Sequence, residues 1–366
     1  MDAFCTRLLI IICFGLAPLT GISQEESHDL NFINIFSAED KEEIACYRIP
    51  ALITAANGDL IAAIDERVPS CGDLKLSKDI NIVLRRSTDH GKSWTPIERI
   101  VDYPWGESAS DPSLLLDAQT GELFMFFNYM NLETEKDIYY LKYVSSKDHG
   151  RTWSEPVDIT DQISKPEWKT DFKFITSGRG IQTASGELVH TLVNLEHGLH
   201  LFKSSDHGKS WSLIDSPIVP ADESKLMELD NGQWMVNSRV NTKGYRYVHT
   251  SDDKGQTWNS RPEPQLVDPS CNASIIRYSS ISQGDDRNVL LFSNANSAES
   301  RENLTVRISY DEGQTWSAGK TIYAGGAAYS SMTVLANGDI GLFFEKDDYT
   351  ENVFVSFSLS WLENGE

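Results

Sequence analysis

The feature that most constrains this chain is a five-fold repetition of Ser-x-Asp-x-Gly-x-Ser/Thr-Trp, at residues 87–94, 146–153, 204–211, 251–258 and 309–316. Its aspartates, Asp89, Asp148, Asp206, Asp253 and Asp311, follow one another at steps of 59, 58, 47 and 58 residues. A repeat of this period implies units that stack on one another, because no single unit buries its own apolar faces. Within the box, Asp and Ser/Thr side chains tie the backbone of a tight turn. Gly permits positive φ, and Trp packs a flat apolar body between neighbouring sheets. The box therefore reads as a structural staple. Calcium-loop spacing is absent, no His/Cys pair has zinc spacing, and neither a metal nor a cofactor is expected.

Between the boxes the chain reads as short strands. Segments 49–53 and 59–64 flank Asn57-Gly58, a two-residue hairpin signal. The arrangement recurs at 114–116 with 122–127, 180–183 with 188–192, 225–229 with 233–237, and 331–335 with 340–344. A third strand then runs toward the box, as at 80–86 and 138–145. No helical stripe of 12 or more residues appears, and the acidic stretches 132–137 and 161–168 read as loops or short turns. Hairpin, third strand, box and fourth strand make a four-stranded antiparallel blade, and radial repetition of blades makes a propeller. Five boxes do not mean five blades. Strands at 321–323, 331–344 and 353–359, with an early strand at 31–37, complete a sixth closed by both chain ends. The expected fold is all-β, a six-bladed β-propeller spanning residues 25–366.

Residues 1–24 read as a signal peptide: Arg7 precedes an apolar run at 8–16, and small residues follow to Ser23. The run is too short for a membrane span, so the expected location is exported, periplasmic or extracellular. Beyond it only Cys46, Cys71 and Cys271 remain, room for one disulfide whose members the sequence leaves open. Among 366 residues the formal charge is −22, which disfavours nucleic acid and anionic membranes as partners. An anionic ligand would need a local arginine cluster to reverse that sign. No added module is expected within this length, and oligomeric state is open.

Charged side chains embedded in strand patterns are the functional signal, because buried charge is costly unless paired. Arg48 opens Ile49-Pro50-Ala51-Leu52, Arg67 ends an apolar run, and Arg239 follows Trp234-Met235-Val236-Asn237. Arg301 lies in a polar loop, Glu223 precedes Ser224-Lys225-Leu226, and Glu345 ends the strand at 340–344. Tyr329 sits in the small-residue turn at 325–330. Asn272-Ala273-Ser274 and Asn303-Leu304-Thr305 match glycosylation acceptors.

Tyr47-Arg48-Ile49-Pro50, Asp65-Glu66-Arg67, Gly72-Asp73-Leu74, Ser110-Asp111-Pro112-Ser113, Glu223-Ser224-Lys225, Asn237-Ser238-Arg239, Arg301, Tyr329 and Phe344-Glu345 form an ordered set. With the boxes, this set resembles the exo-sialidases (neuraminidases) of bacteria and animals over residues 42–360. The resemblance implies a retaining exo-α-sialidase acting on sialylated glycoproteins, glycolipids or oligosaccharides. By it, Arg48, Arg239 and Arg301 clamp the sialic acid carboxylate, and Glu345 orients Arg48. Arg67 and Asp111 line the pocket near the ring's 4-hydroxyl. Tyr329 is the nucleophile, Glu223 its activating base and Asp73 the acid/base, with Asp79 as the alternative in the same segment. A trans-sialidase and a non-catalytic sialic-acid-binding propeller are the competing readings.

The chemistry is coherent. Sialic acid carries a carboxylate beside its anomeric carbon, so an anionic nucleophile would meet like charge, whereas a neutral tyrosine would not. Sialidases are the known tyrosine-nucleophile exception among glycosidases.

Overall fold

Two kinds of tight turn set the topology. At Asn57-Gly58 and its counterparts the glycine has positive φ, 89° at Gly58 and 83° at Gly232, which suits it and strains any other residue. At the boxes a side-chain network does the work. In all five the serine hydroxyl donates to the aspartate at 2.8 Å. The glycine N–H donates to that serine oxygen, also at 2.8 Å. The second hydroxyl donates to the other carboxylate oxygen at 2.6 Å. Bonds from Ser93 above all hold the Asp89 carboxyl down to about 2.

The computed structural model describes residues 30–39, 41–241 and 244–364; the expected signal peptide lies outside the described residues. The first sheet runs Cys46–Thr54, Leu60–Val68, Asp79–Ser87, Glu98–Val101, each strand antiparallel to the last. The next uses Glu107–Leu116, Leu123–Asn131, Tyr140–Ser146 and Val157–Asp158. A third is built on Leu188–Asn194, Gly198–Ser204 and Ser212–Ile218, and a fourth on Ser224–Glu228, Trp234–Ser238, Tyr245–Ser251 and Asn259–Val267. The rest form a seven-stranded sheet from Ser274–Ser279 to Glu351–Phe357, ending on Ile33–Ser37.

Neighbouring sheets pack face to face in a propeller-like arrangement. One apolar cluster joins Ala63, Ile82 and Leu84 of the first sheet to Leu114, Met125 and Val144 of the second. Box tryptophans fill the gaps: Trp94 meets Phe354, and Trp211 meets Phe124, Phe126 and Phe202. First and last sheets meet as well. The Leu52 N–H donates to Ser331 Oγ at 3.0 Å, the Thr54 N–H to Thr333 Oγ1 at 3.1 Å, and Asn352 Nδ2 to the Tyr47 carbonyl at 3.1 Å.

Several local expectations change. Segments 321–323 and 331–335 are one continuous strand, Lys320–Val334. Its first part pairs with Glu302–Ser309 and its second with Ile340–Lys346, so pairing on successive edges holds it extended throughout. Tyr329 thus lies in a strand rather than a turn. Thr160–Ile163 is a one-turn α-helix and Pro166–Trp168 a 3-10 turn. Gly178–Arg179 pairs parallel to Ser113 and Leu114, linking the third unit to the second. Among the described residues no helix is long and apolar enough to cross a membrane.

Two glycines separate backbone strain from packing. Gly208 in a box and Gly232 in a hairpin both have positive φ, 79° and 83°. An added Cβ at Gly208 would lie 2.3 Å from the Phe124 ring, whereas at Gly232 nothing lies within 4 Å. Gly232→Ala should therefore cost about 1–2 kcal/mol, and Gly208→Ala about 1–3 kcal/mol more. Urea unfolding of the two variants checks the difference.

Candidate active site

The inner strands start at one end of the ring, and three of them lose register there. The shifts fall between Arg48 and Ala51, between Ser110 and Ser113, and between Ala327 and Ser330. The first adjoins Arg48, and the other two enclose Asp111 and Tyr329. Pro50 and Pro112 have no N–H to continue a ladder, and Ile49 and Asp111 adopt φ of 68° and 63°. Such bulges turn side chains out of the strand's alternation. For β-branched Ile49 this conformation costs roughly 1–3 kcal/mol, and its N–H is compensated by a bond to Glu345 Oε1 at 2.8 Å. The first antiparallel hairpin carries Arg48 at this end and Asn57-Gly58 at the other. The third strand then descends to the Asp89 box, which therefore lies at the end opposite Arg48.

Tyr329 stands at the centre. Its hydroxyl donates to Glu223 Oε2 at 2.7 Å and accepts from Arg239 Nη1 at 3.1 Å. Arg239 Nη1 also pairs with the same Glu223 oxygen. Burial pushes the Tyr329 phenol well above its usual range and Glu223 pushes it further, against Arg239 and Arg301. The resting group is a neutral phenol hydrogen-bonded to a carboxylate.

The arginines converge around it. The guanidinium carbons of Arg301 and Arg48 lie 5.4 and 5.8 Å from the Tyr329 ring centre. Glu345, whose side chain is 0% exposed, accepts from Arg48 Nε at 3.1 Å and from the Tyr329 N–H at 3.0 Å. Arg301 Nη1 donates to Tyr349 Oη at 3.1 Å, and Arg48 lies 3.9 Å above the Tyr349 ring. Burial would lower all three arginines. Glu345 and Glu223 hold the protons on Arg48 and Arg239.

Asp73 occupies the loop between the second and third strands, with its side chain 75% exposed toward the opening. Arg67 Nη1 donates to Asp73 Oδ1 at 2.8 Å, and Arg48 Nη1 lies 4.0 Å away. Burial pushes the Asp73 carboxyl up, but Arg67, with Arg48 and Arg301, holds it below the usual carboxylate range. A Cys46–Cys71 disulfide ties this loop to the strand carrying Arg48, and Cys271 is free and buried. Asp111 is pushed up to about 6, by burial first and by Glu223 and Asp73, against Arg67.

These groups surround a cavity of about 460 Å³ whose walls include Arg48, Asp73, Asp111, Glu223, Arg239, Arg301 and Tyr329. Leu74, Leu76, Tyr139, Phe172, Phe174 and Leu195 add an apolar side. Asp79, the alternative to Asp73, is outside the lining, as is Glu345. Arg67, expected on the wall, is 1% exposed behind it. Its guanidinium is occupied by Asp65 and by the Asp73 loop.

The sequence offers no sign of Tyr349 or Asn241, and it presents Asp65 only as part of a motif, with no role. Asn241 accepts from Arg239 Nε at 3.0 Å. The prolines inside inner strands were a readable sign of the bulges. Beneath the floor lies Lys225, pushed down to about 7 by burial. It donates to Asn272 at 2.7 Å, so one glycosylation-like asparagine is a buried structural group. Asp171, Glu196 and His197 bring metal-ligand atoms within 4.8 Å of one another, outside the cavity lining.

Comparison with known proteins places these observations in context. Residues 58–342 match the family described as BNR repeat-like domain. A sialidase of Micromonospora viridifaciens is 34% identical over 351 residues, covering 88% of this chain and 53% of the relative. A sialidase of Bacteroides fragilis is 28% identical over 330 residues, covering 82% and 60%. The solved structure of the Hadza microbial sialidase Hz136 superposes with a TM-score of 0.81 at 28% identity, covering 90% of this chain and 69% of that one. The chain thus spans 53% to 60% of the length of these two curated relatives.

Glu345→Gln tests the architecture apart from any reaction. It replaces a buried acceptor of three N–H groups with a side chain that also donates. The free energy of unfolding in urea should fall by about 3–5 kcal/mol, and a loss under about 1 kcal/mol would deny the carboxylate its role.

Proposed function

The chain belongs to the sialidase family with BNR repeat-like domains, and from that premise we propose that it is a retaining exo-α-sialidase. Its substrates would be terminal sialic acids of glycoproteins, glycolipids or oligosaccharides. The observation that carries the reading is the 2.7 Å hydrogen bond from Tyr329 to Glu223 beneath three converging arginines. Arg48, Arg239 and Arg301 receive the substrate carboxylate, planar donors against a planar anion. Tyr329 Oη attacks the anomeric carbon as its proton passes to Glu223. The glycosidic C–O bond breaks, and Asp73 gives its proton to the departing oxygen. In the second step the Asp73 carboxylate takes a proton from water, which attacks the same carbon. Tyr329 leaves and recovers its proton from Glu223. Two inversions give net retention.

Asp73 must carry a proton to act as acid, yet three arginines favour its charged form in the free site. The substrate carboxylate cancels part of that field by pairing with Arg48 and Arg301. The departing sugar also covers the exposed side of Asp73. Both effects raise its proton affinity once substrate is bound.

Two further readings accompany the activity. We count six blades over residues 25–366. Support comes from the partner exchange within Lys320–Val334, which divides the seven-stranded sheet into Ser274–Ser279 through the first part of that strand, and its second part through Ile33–Ser37. Export through residues 1–24 to a periplasmic or extracellular location is supported by the Cys46–Cys71 bridge, which suits an oxidising compartment.

Hydrolysis of an aryl sialoside and of sialyllactose, with the released sugar identified, tests the activity. Tyr329→Phe should lower kcat by more than about 10³-fold, and release of free sialic acid separates hydrolysis from transfer. Absence of turnover by folded wild type would refute the enzyme reading.

The protonation of Asp73 gives a second expectation. Its proton-bearing fraction falls about tenfold per pH unit above its pKa. Log kcat/KM, which reports the free site, should therefore decline from acidic pH upward, and kcat should decline only at higher pH. Asp73→Asn should remove this limb. Coincident kcat and kcat/KM limbs would contradict the proposed effect of the substrate anion.

A further inference from the structure

We propose that Asp65, a buried carboxylate behind the cavity wall, is a positioning residue for Asp73: through Arg67 it fixes where the proton donor stands and how much positive charge it faces. The inference rests on the hydrolytic reading and on Asp73 as its acid.

Asp65 is 0% exposed and lies opposite Arg48 in the first hairpin. One carboxylate oxygen accepts from Arg67 Nε at 3.2 Å and Nη2 at 2.9 Å. The other accepts the Asp111 N–H at 2.9 Å. All three hydrogen-bond partners are donors. Burial, with the Asp111 charge, pushes the Asp65 carboxyl up while Arg67 pulls it back. A proton on Asp65 would find no acceptor among these donors, so the ion pair with Arg67 is the state that satisfies all three bonds.

One Asp65 oxygen thus holds two guanidinium N–H groups along one edge of Arg67. Its remaining nitrogen, Nη1, then donates to the carbonyls of Cys71 and Gly72 at 2.9 and 3.2 Å and to Asp73 Oδ1 at 2.8 Å. Arg67 is therefore a rigid link: one edge rests on Asp65, and the other holds both the backbone and the carboxylate of the acid's loop. The same Asp65 holds the Asp111 bulge of the neighbouring sheet.

Charge follows the same route. Arg67 and Arg48 face Asp73 from the first sheet, and Arg301 faces it from beyond Tyr329. Asp111 contributes negative charge from the second sheet. Lys75 in the same loop is paired with Asp137. Asp65 is the counter-charge that makes Arg67 half of an ion pair. Without it, an uncompensated guanidinium would sit 2.8 Å from Asp73 and draw it toward the carboxylate. A smaller protonated fraction of Asp73 matters most for a leaving group that needs a proton and little for a phenol that departs as its anion.

The test is Asp65→Asn assayed on sialyllactose and on 4-nitrophenyl sialoside, with circular dichroism to check the fold. The kcat/KM loss should be about tenfold or more greater on sialyllactose, with the alkaline limb shifted about one pH unit toward acid. Asp65→Glu, which keeps the charge, should recover most of the difference. Equal losses on both substrates with an unmoved limb would make Asp65 a purely structural residue and overturn the proposal. Should Asp65→Asn not fold, Asp65→Glu is read directly. A graded loss larger on sialyllactose supports the link, and a uniform loss refutes it. If wild type turns over neither substrate, the hydrolase reading itself fails. If wild type is active but Asp73→Asn harms both substrates equally, only the acid assignment fails, and the Asp65 inference with it.

Discussion

The site depends on one carboxylate at the seam of the ring. Glu345 sits on the strand Ile340–Lys346, close to the end of the chain. It accepts from Arg48 Nε and the Ile49 N–H of the first sheet and from the Tyr329 N–H of the last. It thus joins the two sheets that must meet for the ring to close. It also fixes the bulge that aims Arg48 and the bulge that aims Tyr329. Closure of the fold and assembly of the site are the same event in physical terms. A seam that opened would release Arg48 and Tyr329 together.

The electrostatics explain how a chain of formal charge −22 can receive an anion. Arg48 is paired with Glu345 and Arg239 with Glu223. The hydrogen bonds of Arg301 go to the neutral Tyr349 hydroxyl and the Ser270 carbonyl. Asp73 also lies 4.0 Å from Arg48 and Asp222 4.0 Å from Arg239. Among the described residues Arg301 is therefore the member of the trio with no carboxylate in ion-pair range, and a substrate carboxylate would supply one. Burying cations is costly unless they are paired, and the cost here is carried by acids inherited from the fold. The acidic outer surface is screened within about 8 Å at physiological ionic strength, so it opposes approach without cancelling the local field.

Much of this was legible in the sequence, for identifiable reasons. The boxes and Asn-Gly hairpins act within eight residues, so local chemistry sets them and the strands between them could be read off. Arg48, Glu223, Arg239 and Glu345 stood out as charges in apolar strands. Their convergence could not be read, because Arg48 and Glu345 are 297 residues apart and meet only through closure. Tyr329 looked like a turn residue because small neighbours mimic one, yet pairing on both edges keeps the segment extended. Tyr349 was invisible: a tyrosine after two aspartates in a polar loop carries no signal until two arginines lie against it. The resemblance set Arg67 beside the pocket, but its burial behind the wall could not be read, because the bonds that turn its guanidinium to Asp65 and the Asp73 loop form only in the fold.

Regular and irregular parts of the chain divide the labour in a way the repeat itself requires. Five near-identical boxes enforce near-identical units, and identical units alone would give a symmetric axis lined five or six times by the same side chains. Chemistry needs an asymmetric set: cations on one side, an acid in a loop, one phenol against one carboxylate. The bulges at Ile49-Pro50, Asp111-Pro112 and Ala328-Tyr329 supply that asymmetry where inner strands begin, opposite the end the boxes hold. A bulge loosens its own ladder, and the staple at the far end of the same sheet keeps the loss local. The boxes therefore serve the site by making strain at the pocket end tolerable, although none of their residues touches the cavity.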